Sequence, residues 1–273
     1  MFRVGTPFAA LAVGCFVASM PAIAQNKAPA TEETSAKPFS VVYQPSLNFK
    51  EIAKTIRDGK RLQHWVRYLN ATYGLEKDIV IIFADCGMPN AYYARDKHQI
   101  VLCYDIINEM MEVFGRVYKN SDEVKRAARN ALTFVFLHEL GHALIDANGL
   151  HLTGIPETNA DQLATYILLS RPIKEGKINV AVDGAQYFGL LGENRLSEKA
   201  PGDEQMEDEH PLSKQRYFQI LCWVYGSSPT PNNKAVIMAA GMSERRLSRC
   251  PGEYQNIKSA WDERVEEPEE SDD

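Results

Sequence analysis

The sequence predicts an α+β fold, with a small sheet packed on one long helix and a mainly helical C-terminal half. Three observations predict it. The β-rich runs, "FSVVYQ", "DIVIIFADC" and "HQIVLCYDI", all fall before residue 107. A stretch opening at Ser121 runs to Gly141 without glycine or proline. Beyond it, apolar residues recur at helical spacing in several further segments. At 273 residues and 45% hydrophobic content the chain can bury one generous core, so nothing forces a split into two domains.

The first residues, "MFRVGTPFAALAVGCFVASMPAIAQ", place Arg3 ahead of an apolar stretch that ends in Ala22-Ile23-Ala24. A cation, an apolar segment and a small-x-small end read as a signal peptide over 1–24, cleaved near Ala24. The chain is then expected in a bacterial periplasm or secreted, with no stable membrane insertion after cleavage. Residues 25–38 lack large apolar side chains and read as a flexible lead-in. A single domain is expected over 39–261.

Within it, "FSVVYQ" (39–44) alternates as a short strand. From Asn48 to Tyr73, Ile52, Ile56, Leu62, Trp65, Val66 and Leu69 recur at helical spacing, with Gly59 as a break. The runs "DIVIIFADC" and "HQIVLCYDI" flank "GMPNAYYARDK" and suggest a hairpin-like pair of strands with a long connection. A helix is expected over Asp105 to Phe114. Ser121, followed by Asp122 and Glu123, supplies a cap and first-turn acids for the next helix, and Gly149 a stop. Further helices are expected from about Glu157 to Ser170, Pro211 to Tyr225 and Glu253 to Arg264, with a polar loop over 195–209.

Four cysteines follow the leader: Cys86, Cys103, Cys222 and Cys250. An even number in an exported chain favours two disulfides, and sequence order suggests Cys86 with Cys103 and Cys222 with Cys250. The formal charge is −6, and residues 262–273 hold eight acids and one arginine, so this tail accounts for the acidity. No basic face points to nucleic acid. The tail reads as a solvated, disordered segment.

The chemistry is concentrated in "FLHELGHALID" (136–146). Residues four apart share a helix face, so His138 and His142 can reach one ion. Glu139, rotated by about 100°, falls beside that ion, where it can activate a metal-bound water. Imidazole suits zinc, and a catalytic zinc takes three protein ligands and keeps one position for water. "PETNADQLATY" (156–166) offers the third ligand, Glu157, at the start of the following helix, with Asp161 on the same face to orient a ligand histidine or to substitute as ligand. The bland alternatives are core histidines bonded to neighbours, a helix N-terminal acid and a solvated aspartate. Three polar residues within "LTFVFLHELGHALI" weigh against the first, since burying them unpaired costs roughly a few kcal/mol each.

H-E-L-G-H followed by E-T-N-A-D resembles the gluzincin metallopeptidases, the thermolysin-like clan. The resemblance implies a minimal zincin-like domain with one Zn2+ per chain on His138, His142 and Glu157, Glu139 as general base and acid, and Asp161 behind a ligand. It extends to "NAYY" (90–93), the Asn-Ala-aromatic that such enzymes carry on the edge strand pairing with substrate. "DEHPLSKQRYFQILCWVYG" (208–226) is similar to a family of exported bacterial metallopeptidases of uncharacterised function.

An oxyanion formed during amide hydrolysis needs a further donor. His210, before a helix start downstream of the zinc motif, is the first candidate, with Arg216, Tyr92 and Tyr93 behind it. Asn90, Ala91 and Tyr92 are the candidates for holding an extended peptide. The expected partner is a peptide or protein substrate. A non-catalytic zinc-containing peptide-binding protein and a zinc hydrolase of a non-peptide amide are the competing readings.

Overall fold

The structure is a computed structural model and describes residues 38–170, 177–196 and 213–264. The expected leader, most of the lead-in, most of the 195–209 loop, His210 and the end of the acidic tail lie outside the described residues.

Four strands form one mixed sheet: β1 (Phe39–Tyr43), β2 (Ile79–Ala84), β3 (Ala91–Ala94) and β4 (Gln99–Cys103), in the order β1-β2-β4-β3. β1, β2 and β4 run parallel, while β3 pairs antiparallel with β4 and forms the edge. The expected hairpin of 78–86 with 98–106 is corrected here, because β2 and β4 are neighbours but parallel. A chain leaving the end of β2 must return before it can run alongside in the same sense. It returns as β3, inside the segment that strand signals alone left as a connection and that the resemblance placed on an edge strand, and a short 3-10 turn, Arg95–Lys97, closes the β3–β4 hairpin. The Cys86–Cys103 disulfide ties the start of this excursion to its end across 17 residues.

Alternation decides which face of the sheet is covered. Ile79, Ile81 and Phe83 of β2 and Ile100 and Leu102 of β4 are buried, while Val80 and Ile82 are less so. The parallel β1–β2 connection carries α1 (Lys50–Asp58) and α2 (Arg61–Thr72). The residue that breaks them apart in a left-handed conformation is Lys60 (φ 51°), next to the expected Gly59.

α3 (Tyr104–Gly115) follows β4 directly, and α4 (Ser121–Ala147) is the central element. Its cap is Asn120, one residue before the expected Ser121, whose side chain accepts from the Asp122 N–H at 2.8 Å. At 27 residues it is about 40 Å long. From Ala127 to Leu144 it is buried almost all round, as a helix apolar on every side must be. It ends where Gly149 takes φ +59°, with Leu150 N–H donating back to the Ile145 carbonyl at 2.9 Å.

The helical half comprises α5 (Pro156–Ser170), α6 (Lys177–Leu196), α7 (Ser213–Ser227), α8 (Pro231–Ala239), α9 (Glu244–Leu247) and α10 (Cys250–Asp262). α6, absent from the sequence expectation, packs on both α4 and α7. The Cys222–Cys250 disulfide fastens α7 to α10, so both pairings suggested by sequence order are present.

Candidate metal centre

His138 and His142 sit one turn apart in the buried middle of α4, and Glu157 enters from the first turn of α5. What lets α5 approach is Gly141. A Cβ there would lie 3.1 Å from both Cα and O of Ala160, so the glycine in H-E-L-G-H is a point of close approach between the two helices. Ala160 is one turn from Glu157, and the contact therefore sets how near the carboxylate comes to the imidazoles.

His138 Nε2 and His142 Nε2 are 3.3 Å apart. Glu157 Oε2 lies 3.0 Å from the first and Oε1 3.2 Å from the second. Ligand atoms of all three residues fall within 4.8 Å of one another. A tetrahedral ion with bonds of about 2.0–2.1 Å to nitrogen and oxygen separates its ligand atoms by about 3.3 Å. The spacing and the donor types therefore both fit a zinc ion.

Behind His138 the polar groups continue. Its Nδ1 donates to Asp161 Oδ1 at 2.9 Å, and Asp161, 1% exposed, also accepts from Arg216 Nε at 2.8 Å and Nη2 at 2.7 Å. The Arg216 guanidinium carbon lies 3.8 Å from the centroid of the Phe188 ring of α6. Arg216 is thus buried behind the histidine and occupied by Asp161, whereas the sequence placed it among the groups that meet substrate. A guanidinium fork on a carboxylate is a strong, directional pairing.

These contacts govern ionisation. Burial pulls the His138 pKa down, yet Asp161 and Glu157 outweigh it and leave it raised to about 9 from 6.5. Burial pushes Asp161 up, but Arg216 and His138 bring it down to about 2. Glu157 lies well below the ordinary carboxylate range, because the two histidines overcome its burial. Glu139 shifts the other way: burial raises its pKa, only partly offset by His138 and His142. Its Oε1 stands 4.0 Å from His138 Nε2, beside the three donors rather than among them.

The edge strand reaches the same helix face. Tyr93 Oη donates to Asp146 Oδ2 at 3.0 Å, and Arg95 Nε lies 3.0 Å from Asp146 Oδ1. Asp146 follows His142 by four residues, so His138, His142 and Asp146 form one stripe along α4. β3 is fastened one turn, roughly 6 Å along the axis, beyond the second histidine. Cys103 N–H donates to the Asn90 carbonyl at 3.1 Å. Alternation from that bonded pair turns the backbone groups of Ala91 and Tyr93 to the free edge. Asn90 Oδ1 accepts from the Ala91 N–H at 2.9 Å. Tyr92, 42% exposed, points away from the helices.

Residues 43–264 match the family DUF4344, described as "Putative metallopeptidase". The chain belongs to this family. No curated protein and no solved structure matches it.

In this member of the family, His138, His142 and Glu157 are the candidate metal ligands. The structure brings these three together with Glu139 and Asp161, and adds two things the sequence reading did not assign. One is the Arg216–Asp161 pair, which joins residues 55 apart and leaves no local signature. The other is the Tyr93–Asp146 clamp. Its helix half was legible, since Asp146 continues the i, i+4, i+8 series begun by the histidines.

Proposed function

We propose that the chain is a zinc peptidase of the gluzincin type, acting on peptide bonds of exported or envelope proteins. The observation that carries this reading is the set of 3.0, 3.2 and 3.3 Å separations among the donor atoms of His138, His142 and Glu157, which match the edges of a tetrahedral zinc site. Zinc held there supplies Lewis acidity, polarising the scissile carbonyl and acidifying a water.

The remaining work falls to the chain's own side chains. Glu139 is buried next to the donors, with a pKa raised by that burial, which suits a carboxylate that takes a proton from the attacking water and passes it to the leaving amine. Asp161 holds the His138 ring with Nδ1 protonated and Nε2 turned toward the site, and Arg216 holds Asp161. Ala91 and Tyr93 offer backbone donors and acceptors to an extended substrate, which would lie as a further strand on β3 beside Glu139. Asn90 frees the Ala91 N–H when the strand forms. His210 is assigned as donor to the developing oxyanion. The two disulfides fit an oxidising compartment, in keeping with export to the periplasm or the medium.

The test pairs metal content with cleavage of casein and of a peptide library, for wild type and Glu139→Gln. Both proteins should hold about one zinc per chain, with cleavage by the variant lowered about 10²–10⁴-fold. Equal cleavage by the two would remove Glu139 as the base. Stoichiometric zinc with no cleavage of any library by wild type would move the reading to a peptide-binding protein.

A further inference from the structure

A second site lies away from the metal centre, where α1 and α2 meet α4 over the sheet. A cavity of about 480 Å³ opens at the break between α1 and α2. This is within the range of about 300–1,000 Å³ typical of ligand pockets. Its wall is apolar, formed by Ile56, Leu62, Trp65, Phe83, Leu102 and Phe136. Its mouth is lined by Lys60, Arg61, His64 and Arg129, all exposed, and among the described residues none of those lining it is acidic.

Arg61 and Arg129 are close enough that partial burial and the Arg129 charge both lower the Arg61 pKa. Arg61 is held in place by its Nη2–Asn130 Oδ1 bond of 3.4 Å, and Asn130 is itself anchored on Asp183 at 2.7 Å. Lys60 takes its left-handed backbone at the same mouth, a conformation unfavourable for a residue with a Cβ. Two like charges and one strained backbone converge on the opening of an apolar hole.

We propose that this cavity binds a single-chain amphipathic anion, with its apolar tail against Ile56, Leu62 and Trp65 and its carboxylate between Arg61 and Arg129. The tail covers what remains exposed of Ile56, Leu62 and Trp65, and the headgroup relieves the repulsion between the guanidinium groups. The volume admits one chain, which favours a fatty-acid-like ligand over a two-chain phospholipid. Neither the metal ligands nor Glu139 line the cavity, so the proposal stands apart from the peptidase reading.

The experiment titrates laurate below its micellar concentration into the full chain, followed by calorimetry and by the fluorescence of Trp65, a cavity-wall residue. Dodecyltrimethylammonium, with the same tail and a cationic head, is the comparison. Saturable one-to-one laurate binding is expected, with the cation at least tenfold weaker. Arg129→Gln, an exposed position, should weaken laurate about tenfold or more, the loss expected for a charge-assisted bond. Leu132→Trp, which fills the cavity from α4, should abolish binding while circular dichroism and zinc content remain those of wild type. Absence of saturable binding, equal affinity for both amphiphiles, or wild-type affinity in the Leu132→Trp protein would each overturn the proposal.

Discussion

Replacing Gly141 by alanine separates two contributions that oppose each other. A glycine inside a helix costs about 1 kcal/mol relative to alanine, so on propensity alone Gly141→Ala stabilises α4. The new Cβ, however, would sit 3.1 Å from Ala160 Cα and O, and 3.4 Å from Ala160 Cβ. Two of these atoms are backbone, which cannot rotate away, so α5 must retreat by a few tenths of an ångström. Overpacking of this kind costs about 1–3 kcal/mol, giving a net loss of roughly 0–2 kcal/mol and a thermal midpoint lowered by no more than about 8 °C. The larger effect falls on zinc. Glu157 travels with Ala160, and metal bonds tolerate only about 0.2 Å, so affinity should drop about tenfold or more. Competition against a chromophoric chelator measures it, alongside a thermal melt of the chelated protein. Gly115→Ala, where an added Cβ meets nothing within 4 Å, is the control. A Gly141→Ala protein that is about 1 kcal/mol more stable and binds zinc as wild type would refute the claim that this contact sets the Glu157 position.

Asp161→Asn should weaken zinc about 10–100-fold by releasing His138 Nδ1, and a chelator titration reads it directly. Arg216→Met, which leaves buried Asp161 with a single partner, should destabilise the fold by about 3–5 kcal/mol in urea unfolding. The pH dependence of the zinc-free chain follows from His138. Its folded pKa of about 9 exceeds the ordinary 6.5, so its stabilisation is complete below 6.5 and is lost as the pH rises through 9. Melting of the EDTA-treated protein should fall across that window, and added zinc should abolish the fall. Loss of the Cys222–Cys250 bridge, which closes 28 residues, should cost about 3.5 kcal/mol by loop entropy. Comparison of Cys222→Ala/Cys250→Ala with wild type in urea gives the value.

What could be read from the sequence was local. His138, Glu139 and His142 lie within five residues, and helix geometry alone arranges them. Glu157 and Asp161 repeat the same spacing one loop later. The sheet was harder, because whether two strands run parallel depends on where the intervening chain goes, and "NAYY" reads equally as strand or connection. α6 escaped for a different reason. Its glycines, including Gly184, suggest breaks, but in the fold Gly184 is a point of close approach, where a Cβ would lie 2.5 Å from the Phe134 side chain. A glycine that admits a neighbouring helix and one that ends its own are indistinguishable without the partner.

The helical half acquires a purpose from the Arg216–Asp161 pair. A buried ion pair is weak evidence for stability, since apolar residues of similar size often serve as well. Stability alone therefore does not explain why α7 carries a guanidinium into the core, stacked on Phe188 of α6 and fastened to α10 through Cys222. Its fork fixes both oxygens of Asp161, and Asp161 Oδ1 engages Nδ1 of His138. The other nitrogen is then the one presented beside His142 and Glu157. On the opposite side, Tyr93 and Asp146 tie the edge strand to the same stripe of α4. The edge strand of the sheet and the ion pair of the helical half thus both fasten onto α4, the first at Asp146 and the second through Asp161 at His138.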